Sequence, residues 1–122
     1  MACEVEYTRE FEQWWTELSE PEQVSVAAVV ELLAAKGTRL GFPYSSSVES
    51  SKFGHMRELR VQHGGAPYRV FYAFDPRRTA LLLIGGCKVG DERFYERMVP
   101  WADQIFDAHV QEIDKESSSR RK

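Results

Sequence analysis

One segment of the sequence carries most of the side chains that could do chemistry. Glu58, Arg60, Arg69 and Lys88 lie in a stretch that otherwise favours β-strands. Arginine offers planar, bidentate donors to a phosphate, lysine offers a point charge, and a carboxylate can accept a proton. We interpret these residues as a candidate site for a phosphate ester. A solvated sheet face with one Glu–Arg ion pair is the alternative, and the spacing alone does not choose between them.

Three consecutive β-strands are predicted to position these side chains: Met56–Gln62, Tyr68–Phe74 and Thr79–Lys88. Each strand is rich in the β-branched, aromatic and aliphatic residues that fit a pleated, half-buried surface. Glycine and proline turn formers separate the strands. The sequence therefore predicts a meander of two hairpins.

The register of this meander decides which side chains meet. If the first hairpin turns about its Gly-Gly pair, Arg60 lies opposite Arg69, and Glu58 lies on the same face of the sheet. If the second hairpin turns about its Pro-Arg pair, Arg69 lies opposite Ile84, and Lys88 shares that face. A slip of one residue in either pair would move a whole strand's side chains to the other face.

Before the meander, the pattern indicates a strand and two helices. Cys3–Tyr7 alternates as a short strand that joins the sheet, and Thr8 caps a first helix with an apolar stripe. Ser19 caps a second helix that runs to Lys36, where a glycine ends it. The segment Thr38–Gly54 has little periodicity and contains a serine-rich run, so we predict a long loop there.

After the meander, Pro100 interrupts a helical pattern. We expect either a kink at this proline, or a short helix that ends near Met98 and a second helix from Pro100 to about Glu116. Residues 117–122 are predicted to be a disordered tail. The fold class is α+β in a single domain of residues 1–116: an N-terminal strand and helical hairpin packed on a small, mainly antiparallel sheet, with a C-terminal helix.

Composition excludes several functional classes. No apolar run is long enough to span a membrane, and the N-terminal residues lack the basic and apolar segments of a signal peptide, so we expect a cytoplasmic protein. Residues 1–36 carry eight acidic and two basic side chains, whereas residues 37–98 carry six acidic and ten basic ones. The net charge of −3 argues against indiscriminate nucleic-acid binding, and its distribution predicts a basic sheet face and acidic helices.

Metal and disulfide chemistry are not expected. Cys3 and Cys87 are far apart in sequence, and His55, His63 and His109 are scattered singly, without the spacing of metal ligands. We therefore predict no cofactor, no metal site and no disulfide framework.

Four motifs in this order resemble those of a known family. They are Gly41-Phe42-Pro43, the Glu-Leu-Arg segment of Met56–Arg60, the Tyr-Arg-Val-Phe-Tyr strand of Tyr68–Asp75, and the Gly-x-x-Lys strand end of Leu81–Lys88. Together they resemble the RelE/ParE toxin superfamily, and most closely its HigB-like branch, which includes phage Gp49-like proteins. The resemblance covers roughly residues 4–113.

The resemblance implies a toxin of a type II toxin–antitoxin pair, a metal-independent endoribonuclease that cuts messenger RNA in the ribosomal A site. It implies that Arg69 holds the scissile phosphate, with Arg60 as the neighbouring strand arginine, Lys88 as the basic residue at the last strand end, and Tyr95 as an aromatic that stacks on or orients a nucleotide. A helix-turn-helix, HigA-like antitoxin would be the partner, and operator DNA would be bound only through the antitoxin complex.

The proposed chemistry needs only alignment, charge stabilisation and proton transfer. We expect Arg60 and Arg69 to hold the phosphate and Lys88 to stabilise the leaving oxygen or to donate its proton. Glu58, or else His55 or His63, would accept the 2′-OH proton. Arg57 and His63, at the two ends of the first meander strand, are further candidates for binding the substrate. We therefore expect the catalytic residues to be Arg69, Lys88 and Glu58, and the substrate-binding residues to be Arg60, Arg57, Tyr95 and His63.

Two other functions remain open. One is a ParE-type inhibitor of DNA gyrase, which shares the scaffold and needs no phosphate-cleaving residues. The other is a catalytically inactive module that only binds a partner, and the acidic isoelectric point of about 5.6 is its main support.

Overall fold

The computed structural model describes residues 2–120, with side chains described up to residue 117. A five-stranded sheet has the strand order β1-β5-β4-β3-β2, in which β1 is parallel to β5 and the other pairs are antiparallel. This mixed sheet with three α-helices confirms the predicted α+β class. The elements in chain order are β1 (Val5–Tyr7), α1 (Arg9–Thr16), α2 (Glu20–Lys36), a 3₁₀ turn (Gly37–Arg39), β2 (Ser45–Ser47), β3 (Arg57–His63), β4 (Ala66–Phe74), β5 (Ala80–Cys87) and α3 (Phe94–Arg120).

The starts of the first two helices follow the predicted capping residues. The Thr8 hydroxyl accepts a hydrogen bond from the backbone N–H of Phe11. At the start of α2, Ser19 and Glu22 form a reciprocal capping box, which satisfies two backbone donors that the helix itself leaves free. These caps fix where the helical hairpin begins and turns.

The sheet carries a different core on each face. On one face, α1 and α2 cover the apolar side chains of β3, β4 and β5, including Leu59, Val70 and Leu82. On the other face, α3 packs over Phe71 and Leu83. Since successive strand residues point to opposite faces, Glu58, Arg60 and Arg69 point to the same side as α3. That side is where α3 begins.

The observed register confirms the first hairpin and corrects the second. Arg60 is paired with Arg69, as predicted. Arg69 is paired with Gly86, however, and not with Ile84, which lies opposite Phe71. Next to the β4–β5 turn each residue pairs one position further along β5 than predicted, and a β-bulge at Phe71/Tyr72 shifts the pairing by one more residue. The two shifts together make two residues, so the predicted face is retained.

The segment predicted as one long loop contains structure. Ser45–Ser47 forms β2, which pairs with β3 and is the edge strand next to the basic residues. The serine run has no apolar alternation, which is why its sequence did not indicate a strand. Its register places Ser46 opposite Glu58.

The C-terminal segment is one helix. Helix α3 runs continuously from Phe94 to Arg120 and contains Pro100, so of the two predicted alternatives the one with two helices and a break near Met98 is wrong. Met98, Val99 and Ala102 are buried, and their packing against the sheet outweighs the backbone hydrogen bond that the proline lacks. The backbone of residues 117–120 continues the helix, whereas residues 121–122 of the predicted tail lie outside the described residues. Within the described range, no helix is apolar over enough length to cross a membrane.

Candidate active site

A buried carboxylate lies at the centre of the candidate site. Glu58 is only 4% exposed, and Arg69 beside it is only 3% exposed. One Glu58 oxygen, Oε2, accepts hydrogen bonds from the Ser46 hydroxyl at 2.9 Å and from Arg60 Nη1 at 3.3 Å. The other, Oε1, accepts from the Tyr95 hydroxyl at 2.8 Å and lies 3.8 Å from Arg69 Nε. We call Ser46, Glu58, Arg60, Arg69 and Tyr95 the Glu58 cluster.

Strand pairing and the start of α3 together build this cluster. Adjacent positions on β2, β3 and β4 bring Ser46, Glu58 and the two arginines to one face. Tyr95, in the first turn of α3, reaches the same place from above the sheet. The close approach of α3 depends on Gly86 opposite Arg69, because a Cβ at that position would lie 2.9 Å from the Phe94 ring.

The two arginines have different environments. Arg69 is held on the protein side: Nε donates to the Tyr95 hydroxyl at 3.3 Å, and Nη1 donates to the Tyr68 carbonyl at 3.0 Å. The side chain of Arg60 is 30% exposed, and only one of its nitrogens bonds to Glu58. Arg60 is therefore the arginine that can meet a ligand from solution, and Arg69 is the one that holds the cluster together.

Tyr95 is surrounded by charge. Its hydroxyl contacts both Glu58 and Arg69, and the Lys88 ammonium lies 5.0 Å from the centre of its ring. Burial raises the pKa of Tyr95, and the hydrogen bond to Glu58 raises it further, against the opposing effect of Arg69. Tyr95 therefore stays protonated at neutral pH and donates its hydrogen bond to the carboxylate.

Three predicted residues lie apart from the cluster. Arg57, one residue before Glu58, points to the opposite face and donates to the Ser45 hydroxyl at 2.9 Å. His63 also lies on the helical-hairpin side, where Nδ1 is 2.8 Å from the Ser25 hydroxyl. His55 is exposed, and its ring packs against Phe106. None of these three side chains belongs to the Glu58 cluster.

A hydrogen-bonded pair, Tyr68 and Glu22, lies next to His63. The Tyr68 hydroxyl donates to the Glu22 carboxylate on α2. That hydrogen bond raises the pKa of Tyr68 to about 12 and lowers the pKa of Glu22. These contacts join α2 to β4, and His63 packs beside Tyr68 on the face of the sheet away from the Arg69 side chain.

Sequence reasoning missed Ser46 as a member of the site. The only signal that could have found it is the pairing of the serine run with β3, which the pattern of apolar residues does not reveal. The site also has no metal-ligand geometry: among the residues that the structure describes, no group of three His, Cys, Asp or Glu side chains could hold a metal ion. The groups that the candidate site presents are guanidinium, ammonium, hydroxyl and carboxylate.

Solved structures share this fold. An arginine double mutant of the Escherichia coli toxin RelE in the free state superimposes with a TM-score of 0.59, at 11% identity, over 80% of this chain and 96% of that one. RelE in the archaeal RelE–RelB complex from Pyrococcus horikoshii OT3 gives a TM-score of 0.54, at 14% identity, over 75% of this chain and 99% of that one. The architecture is therefore that of RelE-type toxins.

Sequence relatives identify the family. Residues 13–107 match the model of the phage-derived protein Gp49-like family. The chain is 40% identical to putative toxin HigB3 of Mycobacterium tuberculosis over 76% of its own length and 81% of the relative's. It is 32% identical to putative toxin HigB2 of the same organism, over 89% of its own length and 55% of that longer protein. The chain belongs to the Gp49-like, HigB-type toxin family, which confirms the resemblance drawn from its motifs.

Proposed function

We propose that this protein is the toxin of a type II toxin–antitoxin pair and that it cuts messenger RNA on the ribosome without a metal, in the cytoplasm. Family membership and the toxin names of its relatives support the general class. The observation that carries the RNA-cleaving function is the Glu58 cluster beside Lys88. A buried acid bonded to hydroxyls and flanked by accessible cations suits attack by an RNA 2′-OH on its own phosphate.

Arg60 and Lys88 bind the phosphate in this proposal. Both side chains are partly exposed, and they contact different members of the cluster: Arg60 bonds to Glu58, and Lys88 lies over the Tyr95 ring. A phosphate between them would gain a guanidinium on one side and an ammonium on the other. As negative charge builds on the phosphate oxygens and the leaving 5′-oxygen, these fixed cations stabilise it more than they stabilise the substrate.

Proton transfer in this proposal uses Tyr95 and Glu58. Each Glu58 oxygen already accepts a hydroxyl hydrogen bond, so an RNA hydroxyl reaches the carboxylate most directly through one of those hydroxyls. Tyr95 accepts the 2′-OH proton as it passes its own to Glu58 Oε1, 2.8 Å away. The released 2′-oxygen bonds to phosphorus and the 5′-oxygen leaves, taking up a proton from water or from Lys88.

Arg69 is a positioning residue in this scheme. Its guanidinium orients the Tyr95 hydroxyl and compensates the charge of buried Glu58. This role differs from the direct grip on the phosphate that the sequence resemblance implies. The difference follows from burial, since almost none of the Arg69 side chain is accessible.

An antitoxin is the proposed partner, and a HigA-like helix-turn-helix protein fits the family. Acidic side chains of such a partner would be attracted to Arg60 and Lys88, so its binding would block the phosphate site. Operator DNA would then be bound through the antitoxin, because this chain carries a net charge of −3.

The double variant Arg60→Ala/Lys88→Ala tests the function. We expect it to fold normally and to cleave ribosome-bound message about 100-fold more slowly or worse, because both phosphate-binding cations are gone. The matched control, Arg39→Ala/Lys115→Ala, removes the same charge from exposed positions outside the cluster and should cleave like the wild type. Cleavage by the Arg60/Lys88 variant at the control rate would refute the assignment.

Tyr95→Phe separates the proton step from phosphate binding. This change removes one hydroxyl and keeps the ring under Lys88. We expect kcat to fall about 100-fold while KM changes little, because the phosphate cations remain. Unchanged kcat would exclude the relay through Tyr95.

A further inference from the structure

The loop before β2 exposes an aromatic side chain beside the candidate site. Phe42 is 76% exposed although its side chain is large and apolar, and Tyr44, two residues later, is 46% exposed. Neither side chain belongs to the two apolar cores. Exposed aromatic rings of this kind can stack on a flat, apolar surface of a ligand that is bound by the neighbouring cations.

Arg60 fixes the position of the Phe42 ring relative to the Glu58 cluster. The guanidinium carbon of Arg60 lies 5.2 Å from the centre of the Phe42 ring, while Arg60 Nη1 bonds to Glu58. One face of the ring is therefore covered by the guanidinium. The high exposure of Phe42 leaves the other face open to solution.

The backbone of this loop is anchored at the same point. The Arg60 N–H donates to the Tyr44 carbonyl at 2.8 Å, and the N–H groups of Tyr44 and Ser45 both donate to the Gly41 carbonyl at 3.0 Å. The loop that carries Phe42 is thus bonded to the strand residue that would hold the phosphate. A groove adjoins this loop and runs between α2 and the sheet. Its lining includes Pro43, Tyr44, Arg60, Gln62 and Arg69 on one side and Ser25, Ala28 and Val29 of α2 on the other.

We propose that Phe42 is a stacking platform for an RNA base next to the scissile phosphate, with Arg60 bridging the ring and the phosphate. The inference rests on the proposed function and names how its substrate is held. Single-stranded nucleic acid is bound by cations along the backbone and by aromatic rings under the bases, and Arg60 and Phe42 supply one of each within a single contact.

Three substitutions at position 42 separate stacking from simple apolar packing. Phe42→Ala removes the ring, Phe42→Leu keeps apolar bulk without a π-face, and Phe42→Trp keeps and enlarges the π-face. On programmed ribosomes we expect kcat/KM to fall about 10-fold for both the Ala and Leu variants, mainly through KM, and to stay near wild type for Trp. Tyr7→Ala, an exposed aromatic on the opposite sheet edge, is the matched control and should not change cleavage.

An abasic message makes the test specific for the base. If Phe42 stacks on the base beside the cut, removing that base should lower kcat/KM for the wild type and leave no further loss for Phe42→Ala. A Leu variant that cleaves like the wild type, or a Phe42→Ala variant within twofold of it, would overturn the stacking inference while cleavage itself stands. A normally cleaving Phe42→Ala variant that no longer binds antitoxin would overturn it in favour of a protein contact. A wild-type protein that never cleaves RNA would remove the proposed function and this inference together.

Discussion

Replacing Arg69 with methionine is expected to destabilise the fold far more than the same change at Arg60, although both arginines contact Glu58. Arg69→Met leaves the buried Glu58 carboxylate without its buried cation, and breaking such a pair from one side costs about 3–5 kcal/mol. Glu58 keeps its contacts with Arg60, Tyr95 and Ser46, so the lower end of that range applies. We expect a loss of about 3 kcal/mol in the free energy of unfolding.

Arg60→Met is the control, because Arg60 contacts the same carboxylate, Glu58, but is less buried than Arg69. The Arg60 side chain is 30% exposed against 4% for Arg69, so its ion pair is screened by water. Arg60→Met should cost only about 0–1 kcal/mol. Urea unfolding of the wild type and both variants measures the difference, which should appear as a shift in midpoint with an unchanged slope.

A compensating change tests the cause. If Arg69→Met destabilises because Glu58 is left charged and buried, adding Glu58→Met should restore at least about 1 kcal/mol, since an apolar pair of similar volume is often neutral or better. Equal losses at positions 60 and 69, or no recovery in the double variant, would refute the argument from burial.

Three further changes test other parts of the account. Burial by itself raises the pKa of Asp75, but hydrogen bonds from Arg77, His109 and Thr79 lower it overall. The ionised Asp75 therefore stabilises the fold at neutral pH, and this stability is lost as the pH falls below about 4. When the urea midpoint is measured at decreasing pH, it should fall less steeply for Asp75→Asn than for the wild type. Gly85→Ala should cost about 1–3 kcal/mol and shift tryptophan emission, because its Cβ would lie 2.4 Å from the Trp14 ring. Ser46→Ala should lower stability by about 1 kcal/mol in thermal unfolding, because it removes one hydrogen bond to Glu58.

The first hairpin and the helical caps could be predicted because local signals specify them. The Gly64–Gly65 turn fixes the Arg60–Arg69 pair, and both glycines have positive φ angles that suit a tight turn. The second hairpin lacked such a signal. Its register depends on a bulge at Phe71/Tyr72, which arises from packing in the sheet and has no mark in the sequence.

The contacts of the candidate site that the sequence did not reveal depend on residues that are distant in sequence. Ser46 joins Glu58 only because β2 pairs with β3, and Tyr95 joins them only because α3 begins close to the sheet. Arg57 and His63 were plausible from proximity in sequence, but alternation along β3 turns both away from Glu58. The strand register places Arg60 and Arg69 on the face of Glu58, as the sequence predicted, and burial decides that Arg60 rather than Arg69 faces solution.

Mapping RNA 5′ ends after induction of the chain alone tests the central claim most directly. The account predicts new 5′ ends inside translated messages, in the reading frame, with growth inhibition, and the loss of both in Arg60→Ala/Lys88→Ala but not in Arg39→Ala/Lys115→Ala. Growth inhibition without new 5′ ends that persists in the Arg60/Lys88 variant would contradict it, and would favour a gyrase inhibitor on the same scaffold.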